Sequence, residues 1–521
     1  MRSNLFASLA LIALVAPVHA QEARQISVPG NPILADGDYY SADPAPFVAD
    51  GALWIVAGRD QAAADVNDFV MGQWQLLKTN DPKSSKWTHY PDIIRPENVF
   101  AWAEEARAYA GQIIQGPDKR YYFYAPVLEK NSNAKDRFAI GVAVADSPTG
   151  PWRDAHPSGP ILSQHVPVAK DIQNIDPTLL IDDDGRVYLY WGTFGQLRGI
   201  ELERDMVTLK GGGQAIEGLT GFFEAPWIMK RKGIYYMLYA GNKAGPTSDC
   251  TPAVYHACIA YGTAPAPMGP WTYRGVALKP VSSTTSHPGA VEFKGQWYLV
   301  YHTADAKDGG HFRRSVAIDK MEWDDSVTPA RIRTVVPTRR PQPPLPPTRN
   351  IARAASATAS NEPLPVQYWI KALNDGVTKA APLPPDLWGN WSPNNPATQW
   401  IEYRWDKDVT IDGSRLWFWN DQPAGSGVGV APPAAWHLEY WQGKGGWTAV
   451  PGAGSYGTAP GGFQAVSFPP IRTRCLRAVL EASGDGKSHA GLAVQEWEVL
   501  APKAVPPVVR DRDSKPAPGC G

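Results

Sequence analysis

Five stretches of this chain repeat one plan: an apolar strand, a polar or Gly-bearing turn, then an aromatic-rich strand. They are residues 43–59 (DPAPFVADGALWIVAGR), 106–127 (ARAYAGQIIQGPDKRYYFYAPV), 176–194 (DPTLLIDDDGRVYLYWGTF), 221–240 (GFFEAPWIMKRKGIYYMLYA) and 287–303 (HPGAVEFKGQWYLVYHT). Asp-Gly in the first and third and Lys-Gly in the last are hairpin signals between β-branched and aromatic runs. All-strand self-similarity, spaced by roughly 50 to 70 residues, predicts a β-propeller with one copy per blade. The innermost strands of a propeller line its axis, so residues heading those strands meet there. Asp43, Asp176, Glu224 and His287 each head such a strand, which predicts three carboxylates and a histidine in one pocket.

Glu224 stands in an otherwise apolar run before Ala225-Pro226. A carboxyl in apolar surroundings is costly to ionise, so its pKa rises, as a general acid working near neutrality requires. Taken alone, Glu224 reads sooner as a solvated or salt-bridged residue at a strand end; its place in the repeat favours the chemical reading. Cleavage of a glycosidic bond needs two carboxyl groups astride it, an acid for the leaving oxygen and a base or nucleophile opposite. Asp43, Asp176 and Glu224 supply these with one to spare, and the spare carboxylate can hold a proton on its neighbour by like-charge coupling.

The rest of the chain frames this core. Residues 1–20 have the layout of a secretory signal peptide, with Arg2, an apolar stretch over residues 5–15 and the small-residue site Val18-His19-Ala20. That stretch is too short to span a bilayer. A secreted or periplasmic protein with no membrane segment is expected. A formal charge of −1 over 521 residues offers no electrostatic case for nucleic acid. The 21 Trp and 21 Tyr suit core packing and also stacking on sugar rings. Cys250 and Cys258 bracket a short loop, and export would permit a bridge, although free thiols remain open. Cys475, in an apolar segment, reads as a buried thiol, and Cys520 falls in the tail.

Domain boundaries follow composition. The propeller is expected over residues 21–337. The Pro-rich stretch 338–349 is a stiff linker. Residues 350–500 carry just over half of the 21 Trp in short strand-like runs parted by Gly and Pro turns, the pattern of a β-sandwich. The Pro-rich and charged residues 501–521 read as a disordered tail. The triple acid Asp182-Asp183-Asp184 lacks the alternating ligand spacing of a calcium loop and reads as a turn. No phosphate-binding Gly loop, Ser/His/Asp elbow or zinc spacing occurs.

With these segments in hand the chain resembles glycoside hydrolase family 43, whose members are five-bladed propellers that cleave with inversion. The resemblance rests on ADPAPFV, NIDPTLLIDDDGRVYLYWG, GFFEAPWIMKRKGIYYMLYA and SHPGAVEFKGQWYLVYH, in that order, with IGVAVADSPTGPW and FRRSVAIDKMEW between and after them. It implies Asp43 as general base, Glu224 as general acid, and Asp176 as the residue that tunes the acid and positions the sugar. It further implies His287 beside the axis, either as ligand of a metal such as a structural calcium ion or as a satisfied core histidine. Arg313 or Arg314 would bond a substrate hydroxyl, and Phe223 would border the sugar beside the acid. No cofactor is implied for catalysis. Tyr109-Ala110 stands where many relatives have Trp-Ala, so the sugar is not carried over from any one of them; Trp102 is either a wall of the sugar site or core packing.

The C-terminal region more loosely resembles the discoidin-like sandwich of carbohydrate-binding module family 32, through NIARAASATASNE, the ALNDG turn at 372–376 and the closing EWEVL. Trp388 and Trp391 are then the expected exposed stacking residues, Trp417 and Trp419 core, and the LNDG turn a plain turn or a calcium site. The combined expectation is an all-β protein, a five-bladed propeller followed by a jelly-roll or discoidin-like sandwich. It would be a monomer acting on carbohydrate as an inverting, exo-acting hydrolase that releases arabinofuranose or xylose, with a galactose-type sugar open. A catalytically inactive glycan-binding propeller is the alternative, and a pure interaction protein would leave three aligned acids unexplained.

Overall fold

The computed structural model describes residues 22–243, 248–250, 257–340, 344–362, 364–365, 367–510 and 517–520. The expected signal peptide lies outside them. Five antiparallel sheets form the propeller, with innermost strands Ala42–Ala49, Gln112–Gln115, Thr178–Ile181, Phe222–Arg231 and Gly289–Phe293. These five strands neighbour one another in turn around the axis, and the last returns to the first. Each of the five sequence repeats supplies the two inner strands of one blade.

Period-2 alternation does not describe these strands, because both faces of a blade are covered. Residues 52–57 of blade 1 and 235–241 of blade 4 are buried without a break. Their apolar faces pack between neighbouring blades, with Trp54, Trp74, Phe123 and Trp227 in one continuous core. The ring is closed by the segment just before blade 1. The Ile33 N–H donates to the Val316 carbonyl and the Ser41 N–H to the Arg314 carbonyl. The side chain of Asn31 also exchanges hydrogen bonds with the backbone of Ile318, its amide donating to the carbonyl and its oxygen accepting from the N–H.

Beyond the linker, strands Thr398–Trp419 and Phe463–Glu481 pair along most of their length, with register shifts at residues 404–409 and 411–413. Bulges of this kind bend a strand, so one strand serves both layers of a sandwich. The layers enclose Tyr403, Phe418, Trp436, Leu438, Leu476 and Trp497.

Three sequence expectations are corrected here. Trp388 is fully buried, because its strand pairs with Val494 in the sheet; only Trp391, at 42% exposure, faces solvent. Cys475 is not a free thiol but bridges Cys520, as Cys250 bridges Cys258. The tail is consequently held: its first residues extend the last strand, Ala493–Val505, and its end is tied back to the sandwich by the disulfide. The LNDG turn follows the short 3-10 helix Ile370–Asn374; its Asn374 amide donates to the Ala352 and Ala355 carbonyls, and the Gly376 N–H to Glu496. The triple acid is a hairpin turn, with Lys230 reaching back to Asp182 and Asp183.

Candidate active site

The backbone at the strand heads explains why the acids face the axis. Asp43, Asp176 and Ala225 each precede a proline and have positive φ, at 53°, 56° and 56°. A residue before proline ordinarily takes an extended conformation, so left-handed backbone here is strained. Register shifts accompany it, between Ala42 and Ala45 in blade 1 and on both sides of Glu224 in blade 4. A bulge re-aims a side chain that regular pleating would send into the blade.

Asp43 is held from blade 5. Its Oδ1 accepts from Arg314 Nη1 at 2.8 Å. Arg314 is itself gripped by buried Asp60, Nε to Oδ2 at 2.8 Å and Nη2 to Oδ1 at 2.9 Å, while the Arg314 N–H adds a third bond to Oδ2 at 2.9 Å. His302 accepts the Asp43 N–H through Nδ1 at 3.1 Å, and its Nε2 donates to the Thr285 carbonyl, which fixes the tautomer. His287 Nδ1 stands 3.5 Å from Asp43 Oδ1. Burial pushes Asp43 up, and Arg314 pulls it part of the way back. Burial and the Arg314 charge lower His287 to about 3, so both imidazoles are neutral beside the carboxylate.

The other two acids form a coupled pair across blades 3 and 4. Burial raises both; the Asp43 charge adds to the effect on Glu224, carrying it to about 7, and the Glu224 and Asp43 charges add to that on Asp176, carrying it well above its ordinary range. The Ala225 N–H donates to Asp176 Oδ2 at 3.0 Å, which favours the charged form of Asp176. Glu224 Oε2 accepts the Thr193 hydroxyl at 3.1 Å. The pair therefore titrates together, and burial holds a proton on it near neutrality. The site thus gathers a carboxyl pair raised toward neutrality and, under Arg314, a further carboxyl, and hydrolysis of a glycosidic bond needs two such groups in different protonation states.

Arg314 is held by Asp60 and Asp43, and Arg313 donates to the Asp308 carbonyl at 2.6 Å beside Tyr40. Trp102, half-buried, packs over Gly141 in blade 2 and donates to Asp154 at 3.3 Å. Phe223 is buried next to Glu224. His287 lies against Asp43, but the donors around it do not make the oxygen-rich shell that calcium takes. Both His302 nitrogens are used, Arg314 occupies Asp43, and no group of three His, Cys, Asp or Glu suited to a metal gathers among the described residues. Asp60, His302, Thr193 and Thr285 escaped sequence reading. They lie at strand ends and in loops, with no local pattern to mark them.

The model for glycosyl hydrolases family 43 matches residues 31–329. A xylosidase/arabinosidase of Bacteroides ovatus is 30% identical over 56% of this chain and 94% of its own length. An arabinoxylan arabinofuranohydrolase of Paenibacillus polymyxa is 32% identical over 57% of this chain and 51% of its own. A β-D-galactofuranosidase of Aspergillus niger is 27% identical over 57% and 83% respectively. Among solved structures, a β-xylosidase/α-arabinofuranosidase from a compost metagenome, crystallised with xylotriose in a calcium-free form, aligns over 60% of this chain and 98% of its own at 25% identity and a TM-score of 0.49. The chain is a glycoside hydrolase and belongs to family 43.

Proposed function

We propose that this hydrolase is an exported, exo-acting and inverting enzyme that releases arabinofuranose or xylose from plant-type oligosaccharides or polysaccharides. Asp43 deprotonates the attacking water, Glu224 protonates the leaving oxygen, and Asp176 keeps that proton on Glu224 until it is transferred. The observation that carries this reading is the division of the carboxyls into two environments. Glu224 is raised to about 7 in a coupled pair, whereas Asp43 is bonded to Arg314 across the axis. Arg314 favours an ionised Asp43, as a base needs, and the neutral His287 and His302 add no second positive charge beside it. The xylosidase and arabinosidase names of the relatives support a pentose, and the galactofuranosidase keeps a galactose-type furanose in the test panel. Export rests on the signal-like residues 1–20, and we assign the sandwich, through exposed Trp391, a role in holding glycan near the propeller. The enzyme acts as a monomer and needs no cofactor.

The test is a panel of nitrophenyl pentosides and hexosides, with product anomers followed by proton NMR and Glu224→Ala as control. One sugar should be released with inverted configuration, and the variant should lose turnover by two orders of magnitude or more, roughly the contribution of a positioned acid. Inversion further requires base and acid carboxyls about 6.5–9.5 Å apart, to admit the water. Release with retained configuration, or undiminished turnover in the variant, would remove these assignments.

A further inference from the structure

Phe194 is the most exposed large aromatic side chain of the described residues, at 67%, yet it sits beside the buried acid. Its neighbours on both sides are clamped to the Phe223-Glu224 pair: the Thr193 hydroxyl donates to Glu224, and the Gly195 N–H donates to the Phe223 carbonyl at 3.1 Å. The Phe194 ring meets Phe223 edge-on, with centroids 5.8 Å apart, and leaves its own face open. The Gln196 N–H closes a turn onto the Thr193 carbonyl, and Phe194 and Gly195 both have positive φ, at 50° and 81°. Such a turn is best served by Asn or Gly at its first central position, and a bulky residue there is a true outlier. Here the position bears a large ring that is both strained and wet. Neither cost is offset by core packing.

We propose that Phe194 is a substrate-contacting residue on the leaving-group side of the site, where its open face stacks on the sugar ring that follows the scissile bond. The direction follows from the acid. A proton donor stands beside the leaving oxygen, so a rim residue fixed to that donor faces what departs rather than the sugar held at the axis. Pyranose and furanose rings present C–H groups to an aromatic face, and such stacking tolerates varied hydroxyl patterns. Phe194 thus selects for a glycan leaving group over a small one. This assignment rests on the hydrolase reading above, with Glu224 as the acid.

The test compares two substrates of whichever pentose the wild type releases: its glycosyl fluoride, whose leaving group offers nothing to stack, and an arabinoxylan oligosaccharide carrying the same pentose. For full-length Phe194→Ala, kcat/KM on the oligosaccharide should fall on the order of tenfold, mostly through KM, while the fluoride is unaffected. Phe194→Trp should restore the oligosaccharide value, and Phe194→Asn, which suits the turn, should fold at least as stably as wild type yet share the oligosaccharide defect. Equal loss on both substrates, or an oligosaccharide loss carried by kcat with KM unchanged, would overturn the proposal by assigning Phe194 to support of Thr193 and Glu224. No loss on either would make it a bystander. A wild type that releases neither arabinose nor xylose from such substrates would instead refute the pentose-releasing reading and this one with it.

Discussion

Replacing Glu224 by Gln should abolish turnover and, above neutral pH, make the protein more stable. Burial and neighbouring acids raise this carboxyl from 4.5 to about 7 in the folded chain. Between those two values the folded state binds the proton more tightly than the unfolded one, so stability declines as pH rises through the window. Once Glu224 is ionised, the loss amounts to about 3 kcal/mol, since each tenfold change in proton affinity is worth about 1.4 kcal/mol. Gln imitates the protonated acid, and its side-chain oxygen can still accept from Thr193. Urea unfolding of both proteins at pH 5 and pH 8 measures the effect. The two midpoints should lie close together at pH 5, and the variant should lead at pH 8 by a margin approaching that figure. Removing one acid also relieves Asp176, which the Glu224 charge raises, and this adds to the gain in the same direction. A stability difference that is the same at both pH values would refute the coupling of this carboxyl to its buried surroundings.

Asp60→Asn breaks the fork that grips Arg314 without touching the pocket. Opening one side of a fully buried pair should cost about 3 kcal/mol in urea or thermal unfolding. It should also move the acidic limb of the kcat/KM profile to lower pH, because Arg314 is then left to Asp43 alone; an unmoved limb would separate Asp60 from the base. Cys520→Ser opens a closure of 45 residues in the sandwich and should destabilise it by up to about 4 kcal/mol, with pentoside turnover by the propeller unchanged.

The propeller was legible because its signal repeats: each blade carries its own strand, turn and aromatic strand, and five weak local patterns reinforce one another. The acids were legible for the same reason, since equivalent positions in a cyclic repeat must converge. What the sequence hid is held by contacts between distant elements. Asp60 ends the second strand of blade 1 and looks like any polar strand end until Arg314 is brought from 254 residues away. Trp388 resembles an exposed loop residue because its LWGNW context is short and polar-flanked, whereas the strand that buries it lies about a hundred residues on. Cys520 sits among prolines and charges that have no core of their own, and only the structure brings Cys475 to it.

Closure of the ring also sets a timetable. Asn31 meets Ile318 across 287 residues, and Arg314 meets Asp43 across 271. Loop-closure entropy must be met before contacts of that span return anything, so the joining of blades 1 and 5 comes late in assembly. Until it does, Asp43 has neither Arg314 nor His302 beside it and Arg314 has no fork to hold it. A chain whose ring is still open therefore carries its acids and no working site. Activity begins when the two ends of the propeller meet, and an assay of refolding followed by pentoside release would time that event directly.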